Sequence, residues 1–408
     1  MAFGINKKLK VVWLCHYANQ EMFEHFNISN GKEFAPWISL LIDLFKSERS
    51  VELHIVAPNV YSNEDSSFIK NGIHFHFYEY LPKFPIFNKY FREIYYILRI
   101  DQISNYSWVK HKISSIVNSL KPDIVHLHGA ENPYYSAGIL PIIDKYPQIV
   151  TIQGFIKQSI KRNWEIKQRI QIEEEIIKKC KHFGTRTDDM NKVVLDMNPN
   201  AILHYHFYPI ELPKVFKSNI GGDEPIDCIF FARVCKDKGI EDLLHAIVII
   251  KQKIPNIYLT VIGSVSSLYL NFLMQMCKKL NIKDNVHFLG FQKTQNDVYQ
   301  YAINAKICVL PTYHDIIPGT IIESMFLKLP VVAYAVGGIP DLNRNNETVK
   351  LVEKLNTEKL AEAILSLLLN VDCRRKLAEK AYIWANERIN NSAIVGDVFK
   401  AYASVLSD

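Results

Sequence analysis

The sequence predicts an α/β protein made of two Rossmann-like domains facing each other across a cleft, on three observations. Short apolar runs alternate with longer amphipathic stretches, the pattern of parallel sheets with helices on both faces. The pattern runs through twice. At 408 residues, 48% of them hydrophobic, the chain also exceeds what one ordinary core organises.

In the first half the strand candidates are Val11 to Cys15, Val51 to Ala57, Ile73 to Phe77, Ile124 to His128, Ile149 to Ile152 and His182 to Gly184. In the second they are Cys228 to Phe231, Tyr258 to Ile262, Val286 to Leu289, Ile307 to Pro311, Val331 to Tyr334 and Thr348 to Val352. Between the halves, Pro209 to Pro225 carries three prolines and the pair Gly221-Gly222 without helical or strand periodicity, which reads as a linker. The expected domains are therefore residues 1–212 and 213–390. Residues 391–408 hold a last helix, Asn391 to Val405, that crosses back to the first domain.

Composition narrows the setting. The seven cysteines are scattered and never arranged as Cys-x-x-Cys, so neither a disulfide framework nor a zinc-binding Cys set is indicated, and a reducing cytoplasm fits. The basic start Lys7-Lys8-Leu9-Lys10 precedes an apolar run too short for a signal peptide. No window reaches the ~18 to 20 apolar residues that span a bilayer. The net charge of +6 is concentrated: residues 81–121 hold seven Lys/Arg against two acids, and residues 156–181 hold eight against four. Phe84, Phe87, Tyr90, Phe91, Tyr95, Tyr96, Trp108 and Trp164 are interleaved with these cations, which suits an anionic membrane surface on the inner face of the plasma membrane. Single-stranded nucleic acid and buried aromatics beneath solvated charge are the competing readings of such stretches.

Folds of this kind bind ligands outside the carboxyl ends of their strands. After Ile307 to Pro311 comes Thr312-Tyr313-His314-Asp315-Ile316-Ile317-Pro318-Gly319-Thr320-Ile321-Ile322-Glu323. Pro318 suits the first turn of a helix, where Gly319 and Thr320 would offer free NH groups to an anion. The carboxylates of Asp315 and Glu323 bracket that end; an ionised carboxylate accepts two hydrogen bonds from a vicinal diol, so a sugar joined to a phosphate satisfies both features. A capping acid at Asp315 and a solvated Glu323 is the equally simple structural reading. Arg233 and Lys238 follow the strand Cys228 to Phe231, where a guanidinium and an ammonium can neutralise a diphosphate.

With these motifs in order, the second half resembles the donor-binding domain of the family 4 (group 1) glycosyltransferases, which have the two-domain GT-B fold. Arg233 and Lys238-Gly239 match that family's Arg-x4-Lys-Gly. Asp315, Pro318 and Glu323 match its Glu-x7-Glu motif with Asp leading, and Leu329-Pro330-Val331-Val332-Ala333 and Gly337-Gly338-Ile339-Pro340-Asp341 match its sequel. The resemblance implies that Arg233 and Lys238 hold the donor diphosphate together with the NH groups of Gly319 and Thr320. It implies further that Glu323 takes the ribose hydroxyls, Asp315 contacts the transferred sugar, and Gly263 and Phe291 flank the base. In the first half, Pro122-Asp123-Ile124-Val125-His126-Leu127-His128-Gly129 resembles the family's strand ending in His-x-His, so that His128 would face the donor sugar.

Three departures stand out: Gly31 is alone where the family has a Gly-Gly pair, Gln153 takes the place of a frequent His, and Asp315 is one methylene shorter than Glu. The implied reaction is transfer from a UDP- or GDP-linked sugar to a glycan or lipid-linked acceptor with retention of configuration, in bacterial surface polysaccharide synthesis. No metal or other cofactor is expected, since Asp-x-Asp is absent. A nucleotide-sugar epimerase of similar shape and an inactive sugar-nucleotide-binding scaffold are the alternatives.

Overall fold

The computed structural model describes residues 8–29, 31, 33–62, 64–82, 98–158, 163–211 and 226–408. These residues form two compact units, one containing the residues up to Arg186, Met190–Pro209 and Asn391–Asp408, the other Thr187–Asp189 and Ile210–Asn390. Most of the expected linker, and residues 83–97 and 159–162 of the two basic stretches, lie outside the described residues.

The first unit is built on eight strands: β1 (Leu9–Leu14), β2 (Val51–Pro58), β3 (Ser66–Lys70), β4 (Ile73–Tyr78), β5 (Ile124–His128), β6 (Gln148–Thr151), β7 (His182–Thr185) and β8 (Ile202–Tyr205). Their order is β3-β4-β2-β1-β5-β6-β7-β8, parallel throughout except for β3 against β4. Strand β5 is buried along its whole length, as expected of a parallel strand covered on both faces. The six expected strands are present, and β3 and β8 are additional.

Both additions are edges with half-polar patterns. β3 alternates between half-buried and exposed positions, and β8 is nowhere fully buried. The hairpin joining β3 to β4 turns on Asn71 (φ 53°) and Gly72 (φ 78°), the left-handed pair of a two-residue turn.

The last helix, Asn391–Ser407, belongs to this unit and buries Ile394, Val398, Ala401, Tyr402 and Val405 along one stripe. Its Tyr402 hydroxyl accepts from Trp13 Nε1 at 2.8 Å and lies 2.8 Å from His126 Nδ1, which ties the helix to β1 and β5.

The second unit carries β9 (Ile226–Phe231), β10 (Leu259–Ile262), β11 (Val286–Gly290), β12 (Ala305–Leu310), β13 (Val331–Tyr334) and β14 (Lys350–Val352). All pairings are parallel, in the order β11-β10-β9-β12-β13-β14. Counted along the chain this is 3-2-1-4-5-6, the doubly wound order whose direction reverses between the first and fourth strands. In the first unit the corresponding reversal falls between β1 and β5. The expected strand positions of this half are all occupied, with ends displaced by one or two residues.

Candidate active site

The reversal between β9 and β12 positions the residues that follow those strands. β9 runs out into Ala232 and Arg233, and β10 into Gly263, whose φ of 150° lets its backbone approach so closely that a Cβ would lie 1.8 Å from Ala232 O. A pocket of about 420 Å³ opens there. Arg233, Gly263, Phe291, Gly319, Thr320 and Glu323 line it, six of the nine residues singled out in the sequence. A neighbouring pocket of about 550 Å³ shares Arg233 and Ser264 and is lined further by Lys236 and Tyr269.

The helix Gly319–Phe326 meets the pocket with its N-terminus. Pro318 sits one place earlier than expected, as the N-cap with extended ψ of 132° and without a side-chain cap. Extended backbone before the helix suits proline as well as the first turn does, since either requires the same φ. Gly319 and Thr320 are then the first helical residues, whose NH groups have no acceptor within the helix and stand at its positive end. The Thr320 hydroxyl donates to Phe231 O at 2.8 Å, anchoring this helix to the end of β9.

Glu323 lies one turn on, half-buried, and accepts from Gln295 Nε2 at 3.0 Å. Burial pushes its carboxyl up to about 7, and the Glu211 carboxylate adds to the rise. Gln295, Thr294 and Ser264 also line the pocket and escaped the sequence reading. Thr294 also caps its helix in a capping box with Asp297, and the capping spacing holds no signal for the second location of Thr294.

Lys238 and Asp315 are bound to each other, the ammonium donating to Asp315 Oδ2, while Asp315 Oδ1 accepts from Ile316 NH at 3.0 Å. The loops that carry them are tied together by Tyr313 NH, which donates to Asp237 O at 2.9 Å. The segment Gly337-Gly338 braces the Asp315 loop from behind. Gly337 has φ 51°, a Cβ there would fall 1.7 Å from Asp315 O, and Gly338 NH donates to Ile316 O at 2.8 Å.

His128 belongs to the first unit, at the β1–β5 reversal. It is buried, with Nδ1 3.1 Å from the Tyr208 hydroxyl and Nε2 without a partner among the described residues. Burial and then the neighbouring His206 hold its pKa well below the usual imidazole range, so the ring is neutral. Gln153, in place of the frequent His, donates from Nε2 to His128 O at 3.1 Å and fixes the end of β5. A Cβ at Gly31 would meet the Phe23 ring at 2.4 Å, so a larger residue there would have to displace that ring.

Residues 213–384 match the family described as Glycosyl transferases group 1. Over these residues the chain is similar to the group 1 glycosyltransferases. An uncharacterized glycosyltransferase of Methanocaldococcus jannaschii is 24% identical over 90% of this chain and 93% of its own length. The N-acetyl-alpha-D-glucosaminyl L-malate synthase of Bacillus anthracis is 27% identical over 33% of this chain, which spans 35% of that protein. A capsular polysaccharide biosynthesis glycosyltransferase of Staphylococcus aureus is 28% identical over 44% of this chain and 46% of its own. The sucrose-phosphate synthase of Thermosynechococcus elongatus shares the fold at a TM-score of 0.74 and 16% identity, over 98% of this chain and 100% of that one. Anabaena HepE, solved in complex with UDP, does so at 0.70 and 15%, over 98% and 100%. The fold is thus that of the GT-B glycosyltransferases, and the pocket just described lies within the residues that match the group 1 family.

Proposed function

We propose that the chain transfers a sugar from a nucleoside diphosphate sugar to a glycan or lipid-linked acceptor with retention of configuration. The observation that carries this reading is the convergence, at one strand-order reversal, of the Arg233 guanidinium, the free NH groups of Gly319 and Thr320, and the Glu323 carboxylate around one pocket. A diphosphate neutralised by Arg233 and the helix end places its ribose diol toward Glu323, with Gly263 and Phe291 beside the base. On donor binding Lys238 turns from Asp315 to the phosphates, and Asp315 is released to the sugar hydroxyls.

Charge builds on the departing diphosphate in the transition state, and preorganised cations and NH dipoles stabilise it there without a metal. The acceptor oxygen attacks from the side the diphosphate leaves, and the departing phosphate takes its proton. Neutral His128 is assigned to the transferred sugar as a hydrogen-bonding partner.

The donor is UDP- or GDP-linked, and uridine has precedence because HepE has been solved with UDP and with UDP-glucose. Relatives named for capsular polysaccharide and teichuronic acid biosynthesis support a surface-polysaccharide acceptor. The basic and aromatic segments 81–121 and 156–181 would bring the protein to an anionic membrane holding such an acceptor. No described helix is long and apolar enough to cross one.

Thermal-shift screening against UDP, GDP, ADP and their sugars, with Arg233→Ala as control, tests the donor reading. One base should raise the melting temperature of the wild type and not of the variant; no response to any nucleotide rejects the reading. Release of free sugar from the selected donor then distinguishes an enzyme from a scaffold.

A further inference from the structure

We propose that Glu52, His54 and His74 form a binding site for a divalent transition metal of the zinc type on the sheet of the first unit, independent of the donor pocket. Glu52 and His54 stand two apart on β2 and so share one face of the sheet. The parallel register sets His54 opposite His74 on β4, and the two rings stack with centroids 4.4 Å apart. One donor atom from each of the three residues lies within 4.8 Å of the others, with Glu52 Oε1 already 2.9 Å from His54 Nε2. Bonds of about 2.0 to 2.2 Å to zinc hold tetrahedral donors roughly 3.3 Å apart, so small side-chain rotations close the site. Two imidazoles and a carboxylate leave a fourth position for water.

The surroundings are those of a ligand set. His54 Nδ1 lies 2.9 Å from His76 Nε2, and His76 Nδ1 lies 3.0 Å from the Ser67 hydroxyl. A partner on Nδ1 leaves Nε2 to the metal and fixes the ring, as outer hydrogen bonds do for metal-bound histidines. His54 is also immobilised by burial. Among the described residues one cation faces the site: Lys10 Nζ is 3.4 Å from Glu52 Oε1 and also donates to Leu120 O at 3.3 Å, a carbonyl that can retain it when a metal takes the carboxylate.

The chain contains its own comparison. His182 and His204 stack across β7 and β8 with Asp408 beside them, again two imidazoles and a carboxylate. There His182 Nδ1 is 3.0 Å from His204 and Nε2 is 3.0 Å from Asp408. His204 thus holds the place that His76 has beside His54, on the nitrogen turned away from the carboxylate, and among the described residues no further histidine takes the place of His74, so the donors do not converge on one point.

Calorimetric titration of zinc into the full chain, stripped with chelator, tests the proposal, with cobalt absorption reporting the geometry. The wild type should bind one equivalent and give a tetrahedral cobalt spectrum. The variants His74→Ala and Glu52→Gln, at half-buried positions, should each bind at least about 10-fold more weakly, while His204→Ala binds as the wild type does. Absence of saturable binding overturns the proposal. Equal losses in His74→Ala and His204→Ala, or none in His74→Ala, overturn it too.

Discussion

Asp315 and Lys238 were read from the sequence as contacts for different parts of one ligand, and the structure joins them to each other. An ion pair spanning the sugar and phosphate positions competes with the donor for both of its members. Removing the carboxylate charge should therefore separate binding from turnover. In Asp315→Asn the freed ammonium should tighten binding of the nucleoside diphosphate, while sugar release or transfer falls by about 10-fold or more, as expected for loss of one charged hydrogen bond. Parallel titration and rate measurements check this; equal weakening of both would mean that Asp315 only shapes the loop. Glu323 offers a second test. Burial favours its neutral form, with a pKa of about 7, whereas ribose hydroxyls donate to and favour the carboxylate. Affinity for a nucleotide sugar, whose diphosphate does not titrate in this range, should rise from pH 6 to pH 8 by up to about 10-fold, and Glu323→Gln should flatten the profile. At this scale the residues with a recurring spacing were legible. Gln295, whose amide reaches Glu323 across the pocket, was not, because a single polar side chain on a helix carries no periodic signal.

Among the elements, the buried parallel strands were readable because continuous apolar runs have one stable use in such a fold. β3 was missed although its turn was in view: Asn71-Gly72 is a strong hairpin signal, but only one of the two flanking runs is apolar. β8 pairs on one side alone, with β7, so its sequence is under little pressure to be hydrophobic. The loop Gly337-Gly338 was recognised as a motif, and its physical use is to brace the backbone at Asp315 and Ile316. Gly337→Ala should cost more than about 2 kcal/mol and weaken nucleotide binding, because the added Cβ strikes Asp315 O. Gly290→Ala, also at positive φ (70°) but with nothing within 4 Å of the added atom, should cost about 1 kcal/mol. Chemical denaturation of the two variants measures the difference; equal costs would deny the loop its bracing role.

Across the whole molecule, titratable burial is concentrated in the first unit. His16, His54, His76, His126, His128, His204 and His206 all have lowered pKa values, with burial as the leading cause in each. A histidine that stays neutral when folded contributes stability that is complete above about pH 6.5 and lost as the unfolded chain gains protons below it. Glu131 and Glu173, raised by burial, act in the opposite sense but are fewer. Between pH 7.5 and 5.5 the melting temperature of the first unit should fall by at least about 5 °C. Tryptophan fluorescence follows it, since Trp13, Trp37, Trp108 and Trp164 belong to this unit and Trp384 to the other. An unchanged or rising melting temperature would show that these histidines are protonated in the native state.

The two α/β halves were evident in the sequence because the strand pattern repeats, whereas the crossing of residues 187–189 into the second unit was not, since those contacts are polar and short. Asp188 NH donates to Asp341 at 2.6 Å, and Arg344 pairs with Asp188. The central claim concerns one pocket, and it is tested most directly by calorimetric titration of UDP into the wild type, Arg233→Ala and Glu323→Gln. Saturable binding with one site, weakened by about 10-fold or more in each variant at pH 8, is the predicted result. Binding of UDP or any other nucleoside diphosphate that leaves both variants unaffected would contradict the account.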